Sequence, residues 1–174
     1  MEITIGKFTL ETLTSGMYEC PKDMYREYIQ NAVDSIDIAV SESLLKAEKA
    51  IINIEIDKKN CCIRISDNGT GIGVDYAKKY LLDIGHSPKR FINARGFRGI
   101  GRLAGIAYCN TLIFETSTFG EDKRTVVKFD AQSLRERMVN ENTDIDLLSI
   151  ITNVVTVKVE QEARTKHYFN VIMT

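Results

Sequence analysis

The segments IINIEID (51–57) and CCIRISD (61–67) alternate β-branched apolar residues with polar ones and are joined only by KKN (58–60). Strand side chains point to opposite faces with a period of two, so each segment carries one apolar face, and the short connection makes the pair an antiparallel hairpin. An apolar face of that kind has to be covered. Just upstream, Tyr25, Tyr28, Ile29, Ala32, Ile36, Ala39 and Val40 recur at helical spacing. They predict one long helix from Pro21, a residue suited to a first turn, to about Ala50.

Downstream, VDYAKKYLLDIG predicts a short helix closed by Gly85. Residues 86–101, HSPKRFINARGFRGIG, hold a proline, three glycines and little apolar periodicity. They read as a long mobile loop leading into a second short helix near RLAGIAY, and loops this long in compact domains are usually lids, binding loops or disordered segments. TLIFETSTF, RTVVKFD, VVTVKVE and HYFNVIM read as strands, with a helix near AQSLRERMV. Helices dominate the first half and strands the second, which implies an α+β fold: a two-layer α/β sandwich whose mixed, mostly antiparallel sheet is covered on one face by helices.

At 174 residues the chain suits one domain with a core needing no metal or disulfide staple. Its net charge of -1 gives no global signal for nucleic acid or a membrane surface. MEITIGKFTL lacks the basic start and apolar core of a signal peptide, and no run approaches the ~20 apolar residues of a membrane span. The expectation is a cytoplasmic protein. Cys20, Cys61, Cys62 and Cys109 show no metal-ligand spacing and read as reduced thiols, Cys61 and Cys62 on opposite sides of a strand. The closing KHYFNVIMT reads as a strand without a cap, so residues 1–174 are expected to be a single domain at the N-terminus of a longer protein.

Three groups of residues carry chemistry. On the long helix, Glu27, Asn31 and Asp34 lie within about 60° of one another, a carboxylate one turn from an amide. That pair offers a base beside a ligand for a hard cation, or simply a solvated helix face. In ISDNGTGIGVD (65–75), Gly69, Gly71 and Gly73 allow a sharp turn and close approach by a planar ligand. Asp67 ends the strand there; ionised, it only accepts hydrogen bonds, so its partner is a donor such as an exocyclic amine or its own backbone. In GFRGIGRLAG, Gly96, Gly99 and Gly101 precede a helix and can aim amide donors at phosphate. Lys89, Arg90, Arg95, Arg98 and Arg102 add positive charge there, which also suits a nucleic-acid contact or plain solubility. The dinucleotide fingerprint and the Walker Gly-Lys-Ser or Gly-Lys-Thr are both missing. A water activator with a cation ligand, an amine acceptor and a phosphate cradle together describe an ATP site.

On these motifs the sequence resembles the GHKL superfamily of ATPases, which includes DNA gyrase B, the large heat-shock chaperones, histidine kinases and the MutL mismatch-repair proteins. The resemblance covers nearly all of residues 20–174 and implies the Bergerat α/β sandwich. EYIQNAVDS looks like the family's N box, implying Glu27 as general base, Asn31 as magnesium ligand and Asp34 as the closing acid. DNGTG and the following Ile72 resemble the adenine box, implying that Asp67 accepts from the adenine amino group, with Gly69 and Gly71 against the base. GFRGIG resembles the phosphate box, implying Gly99, Ile100, Gly101 and the adjoining Arg102 at the phosphates and residues 86–101 as an ATP lid.

IGHSPK (84–89), with Ser87 and Lys89, is similar to the lid entry of the heat-shock protein 90 branch. In that branch a threonine on a late strand assists the aspartate; Thr165 is the positional match, with Arg164 where the family has glycine. Glu27 and Asp34 favour hydrolysis over phosphotransfer, and no histidine-bearing helix precedes them. His86 and His167 read as structural. The resemblance implies ATP and Mg2+ as ligands, slow hydrolysis coupled to lid closure, a nucleotide-dependent homodimer and client proteins, without a membrane role and with nucleic acid disfavoured. A DNA-transacting ATPase of gyrase B or MutL type and a non-catalytic nucleotide-sensing module stay open as alternatives.

Overall fold

The computed structural model describes residues 20–82, 101–140 and 153–174. Helix α1 runs Pro21–Ser41 and buries Met24, Tyr28, Ala32, Ile36 and Ala39 along one stripe. It stops well short of the expected Ala50. Ser43 takes a left-handed φ of 59°, and the Ser43 and Leu44 amides donate to the Val40 and Ala39 carbonyls at 3.0 and 2.9 Å. This is a Schellman closure, satisfying carbonyls that the last turn leaves open. Serine fills the place where glycine usually announces such a stop. A 3₁₀ turn at Ala47–Lys49 then leads to the sheet.

Strands β1 (Ile52–Asp57) and β2 (Cys62–Asp67) form the expected hairpin. Asp57 closes its turn, accepting from the Lys59 and Asn60 amides at 3.0 and 3.1 Å. Cys61 lies in this turn at φ 49°. The expectation that Cys61 and Cys62 share a strand is thus corrected, since β2 begins at Cys62. The remaining elements are α2 (Val74–Leu82), a 3₁₀ helix (Gly101–Ala107), β3 (Thr111–Ser117), β4 (Lys123–Asp130), α3 (Ala131–Asn140), β5 (Val155–Gln161) and β6 (Tyr168–Met173). All were expected from the sequence, while Gly85 and residues 86–100 of the expected lid lie outside the described residues. None of the described helices is long and apolar enough to cross a membrane.

The sheet order is β1-β2-β6-β3-β4-β5, so the last strand inserts between β2 and β3. Where a mixed, mostly antiparallel sheet was expected, every pairing among the described strands is antiparallel. The architecture is an α+β sandwich. Register sorts the side chains into rows: Ile65, Val171, Phe114 and Val127 align across four strands, and all are buried. Phe114 meets Phe129 edge-on at 5.9 Å and lies 5.7 Å from Phe169. The opposite sheet face is polar, with Arg64 beside Glu115 at 3.4 Å and Arg124 on Glu160 at 2.6 Å. The next row on the core face, one pleat toward the end of β2, is Asp67, Phe169, Thr116 and Thr125. There the apolar core gives way to polar groups, and the candidate site begins.

The described cysteines are all free: Cys20 and Cys61 are exposed, Cys62 is half-buried and Cys109 is buried. Burial pushes the Cys109 thiol up to about 11, which keeps it protonated at neutral pH.

Candidate nucleotide site

Asp67 ends β2 on the core face and is only 6% exposed. Its Oδ1 accepts the Gly69 amide at 2.9 Å. Burial is the largest influence and pushes its carboxyl up to about 7, against the Gly69 amide and the Ser35 hydroxyl, which favour the ionised form. The sequence left two readings of this aspartate, backbone bonding or ligand binding. The backbone bond is present, yet it involves one oxygen of a carboxylate that the fold buries at a free-energy cost.

The glycine-rich loop after Asp67 is fastened on every side. Gly71 has φ 62°, and a Cβ there would lie 1.8 Å from the Ser117 carbonyl oxygen. A Cβ on Gly69 would meet Ser35 Oγ at 2.2 Å, so the loop lies directly on α1. The Thr70 amide donates to Ser35 Oγ at 3.1 Å, and the Thr70 carbonyl accepts from Thr118 Oγ1 at 2.9 Å. The Ile72 amide donates to Thr116 Oγ1 at 2.8 Å, while that hydroxyl donates to the Tyr168 carbonyl at 3.0 Å. His167 Nδ1 lies 2.7 Å from the Gly69 carbonyl. Gly73 accepts the Tyr76 and Ala77 amides and so begins α2, whose first amide, on Val74, donates to Glu121 Oε2 at 2.9 Å.

The second part of the site lies nearer the start of α1. Glu27 is half-buried, and burial is the main cause of its raised pKa, with Arg26 pulling down and Asp23 pushing up. A Cβ on Gly101 would lie 2.2 Å from Glu27 Oε2, so the carboxylate rests on the bare α-carbon of the last glycine in GFRGIG. Tyr28, next along α1, accepts the Gly105 amide at 2.8 Å and donates to the Arg102 carbonyl at 3.0 Å. This places the 3₁₀ helix against α1. Asn31, one turn beyond Glu27, is exposed, and Asp34 accepts from Gln30 Nε2 at 2.9 Å.

One helix thus joins a carboxylate against the Gly101 turn to a serine against the Asp67 loop. Residues 19–164 match the profile of the histidine kinase-, DNA gyrase B- and HSP90-like ATPases. The chain belongs to that family. Comparison with the curated proteins found no match.

Within this ATPase-family domain, the structure brings Glu27, Asp67, Gly69, Gly71, Ile72, Gly101 and Arg102 onto the α1, loop and 3₁₀ elements just described. Arg102 stacks over the Tyr80 ring of α2 at 5.1 Å. Ser87, Lys89, Gly99 and Ile100 lie outside the described residues. Thr165, the positional match to the late-strand threonine of the heat-shock protein 90 branch, is exposed in the turn between β5 and β6. That turn is tied down by the Gly120 amide on the Arg164 carbonyl at 2.8 Å and by Arg164 on Asp122 at 3.2 Å. The threonine that bonds the glycine-rich loop is Thr116, on β3. His167 lies just before β6, where a strand position was expected.

Sequence reasoning missed Ser35, Thr116, Thr118 and Glu121 as supports of the loop. Ser35 was within reach of it, since it directly follows Asp34 in the N box. The other three become visible only once β3 is known to lie near the end of β2. A groove of about 300 Å³ bordered by Met24, Tyr25, Ile63, Tyr108 and Met173 contains none of the predicted site residues.

Proposed function

We propose that this domain binds magnesium ATP and hydrolyses it slowly, as a chaperone-like ATPase whose lid, residues 86–101, couples nucleotide to conformation. The observation that carries the reading is the Glu27 carboxylate resting on the Gly101 α-carbon. It sets a base beside a glycine of the phosphate box, while the same helix supports the Asp67 loop through Ser35. Asp67 accepts from the 6-amino group of adenine, and Gly69 and Gly71 leave room for the flat base. Gly101, with Gly99 and Ile100 before it, faces phosphate, and Arg102 adds positive charge.

Glu27 orients the attacking water and takes its proton; its raised pKa makes it a stronger base than an exposed glutamate, in the direction this work needs. Asn31, exposed one turn along the same face, is the protein's magnesium ligand. Among the described residues no cluster of three His, Cys, Asp or Glu side chains could hold a metal ion. Magnesium commonly keeps several waters and few protein ligands, so a single protein ligand such as Asn31 would be enough to hold it. A magnesium ion held by Asn31 would supply positive charge against the phosphates during phosphoryl transfer. The chaperone assignment rests on IGHSPK, and the proposed surroundings are cytoplasmic.

The test is phosphate release by the wild type and by Glu27→Gln, with magnesium ADP binding measured in parallel. Hydrolysis by the wild type that disappears in the variant while binding persists supports the reading. Binding without hydrolysis in the wild type favours the nucleotide-sensing module.

A further inference from the structure

We propose that Phe169 is a specificity-determining residue of this site: its ring walls the base pocket at the edge where Asp67 takes the amino group, so that adenine is accepted and adenine enlarged at that nitrogen is refused. The proposal rests on the reading of Asp67 as the acceptor for the 6-amino group.

Phe169 is the first residue that β6 presents on the core face, at the end of the sheet where the site lies. It stands directly opposite Asp67 in the pairing of β2 with β6, and directly opposite Thr116 in the pairing of β6 with β3. Side chains opposed in this way have Cβ atoms about 4.5–5.5 Å apart. A phenyl ring reaches farther from its Cβ than a carboxylate does, so a group bonded to Asp67 comes within van der Waals reach of the ring.

The glycine-rich loop encloses the same spot. It leaves β2 at Asp67 and reaches β3, where the Ile72 amide donates to Thr116 Oγ1 at 2.8 Å, and so it crosses the end of β6. Along the way the Gly69 carbonyl lies 2.7 Å from His167 Nδ1, and a Cβ on Gly71 would come within 2.9 Å of the Tyr168 carbonyl oxygen. His167 and Tyr168 directly precede Phe169. The strand that carries the ring is thus clasped by the loop that holds the base.

The ring is also backed by the core. Its centroid lies 5.7 Å from that of Phe114 at a tilt of 35°, and Phe129 meets Phe114 edge-on at 5.9 Å. Phe114 and Phe129 are 0% and 1% exposed, whereas Phe169 is only half-buried. It is the member of this aromatic series that reaches the boundary between the apolar core and the polar row of Asp67. A ring held in this way gives a flat base an apolar surface and yields little room to a substituent.

A secondary amine keeps one N–H, so N6-benzyl adenine can still donate to an ionised carboxylate. What opposes it is the bulk of the benzyl group against Phe169. Shortening Phe169 removes that obstacle and leaves a hole beside the amine.

The experiment titrates the magnesium complexes of ADP and N6-benzyl ADP into the whole chain by calorimetry, for the wild type, Phe169→Ala, the milder Phe169→Val and Val171→Ala. Val171 is the next core-face residue of the same strand, one pleat deeper and 3% exposed. The wild type is expected to bind ADP at least roughly tenfold more tightly than N6-benzyl ADP, the effect of forcing extra carbon against a packed wall. In Phe169→Ala, N6-benzyl ADP gains at least roughly tenfold over its wild-type affinity while ADP weakens, and Phe169→Val gives a smaller gain of the same kind. Val171→Ala leaves the wild-type preference in place.

Equal weakening of both nucleotides in the Phe169 variants would mark the ring as core packing and overturn the proposal, and so would an equal gain in Val171→Ala. A wild type that binds the two nucleotides equally well overturns it whether or not the variants fold. Asp67→Asn then tells which idea failed. A loss of ADP affinity in that variant leaves the site reading standing, whereas unchanged affinity, or a wild type that binds no ADP, overturns that reading as well.

Discussion

Replacing Asp67 by Asn should weaken nucleotide binding while stabilising the empty fold, because the carboxylate is buried where the folded chain has little use for a charge. Its pKa is raised from the ordinary 3.8 to about 7, with burial as the leading cause. A carboxyl raised on folding contributes stability when protonated. That contribution is complete below pH 3.8 and is lost as pH rises through about 7. The interval is roughly three pH units at about 1.4 kcal/mol each, so ionisation costs the ligand-free fold on the order of 4 kcal/mol. About 2 to 3 kcal/mol of this falls between pH 5 and pH 8.

Asparagine does not titrate, and its Oδ1 can still accept the Gly69 amide. Urea unfolding of the nucleotide-free wild type and Asp67→Asn at pH 5 and pH 8 isolates the effect. The variant should gain on the wild type by about 2 to 3 kcal/mol between the two pH values. A stability difference that is the same at both would refute the burial argument, and with it the view that this aspartate is kept for a ligand at the expense of the fold.

The remaining expectations follow from contacts elsewhere in the site. Gly101→Ala places a Cβ 2.2 Å from Glu27 Oε2, so it should displace the base and lower the rate of ATP hydrolysis more than it changes ADP affinity, in steady-state kinetics beside calorimetry. Gly71→Ala combines φ 62° with a Cβ 1.8 Å from the Ser117 carbonyl, and should cost the fold about 2 kcal/mol or more in urea unfolding. Thr116→Val leaves the Ile72 amide and the Tyr168 carbonyl without their shared partner; a loss of about 1 to 3 kcal/mol in stability is expected, with weaker ADP binding. Because burial raises the Glu27 pKa, the acid limb of the pH-rate profile should lie above that of an exposed glutamate, and it should vanish with the activity in Glu27→Gln.

The parts of this fold that local pattern controls were legible in the sequence. The hairpin followed from alternation and a short connection, and its turn chemistry at Asp57 matches. The glycine requirement at residues 69 and 71 also showed, because nothing larger fits against Ser35 and the Ser117 carbonyl. What stayed hidden depends on long-range placement or on one residue in an unusual conformation. α1 ends through a left-handed serine, a stop that composition does not advertise. β6 enters between β2 and β3, a choice made by matching apolar rows over more than a hundred residues of separation. That insertion is why Thr116 rather than Thr165 bonds the loop: β3 comes within one strand of β2 in the sheet, while Thr165 stays in the turn leading to β6. The spacing of Glu27 and Asn31 on one helix face was readable in the sequence, whereas the contact of Glu27 with Gly101 required the 3₁₀ helix to be fixed against Tyr28.

The most direct test of the nucleotide site is calorimetric titration of magnesium ADP into the wild type and Asp67→Asn at pH 8, where the carboxylate is ionised. The account expects one ADP per chain, and an affinity that drops by at least about 1.5 to 3 kcal/mol in the variant, the value of a hydrogen bond to a charged group. Equal affinities in the two proteins would show that Asp67 does not read the base and would contradict the site as described.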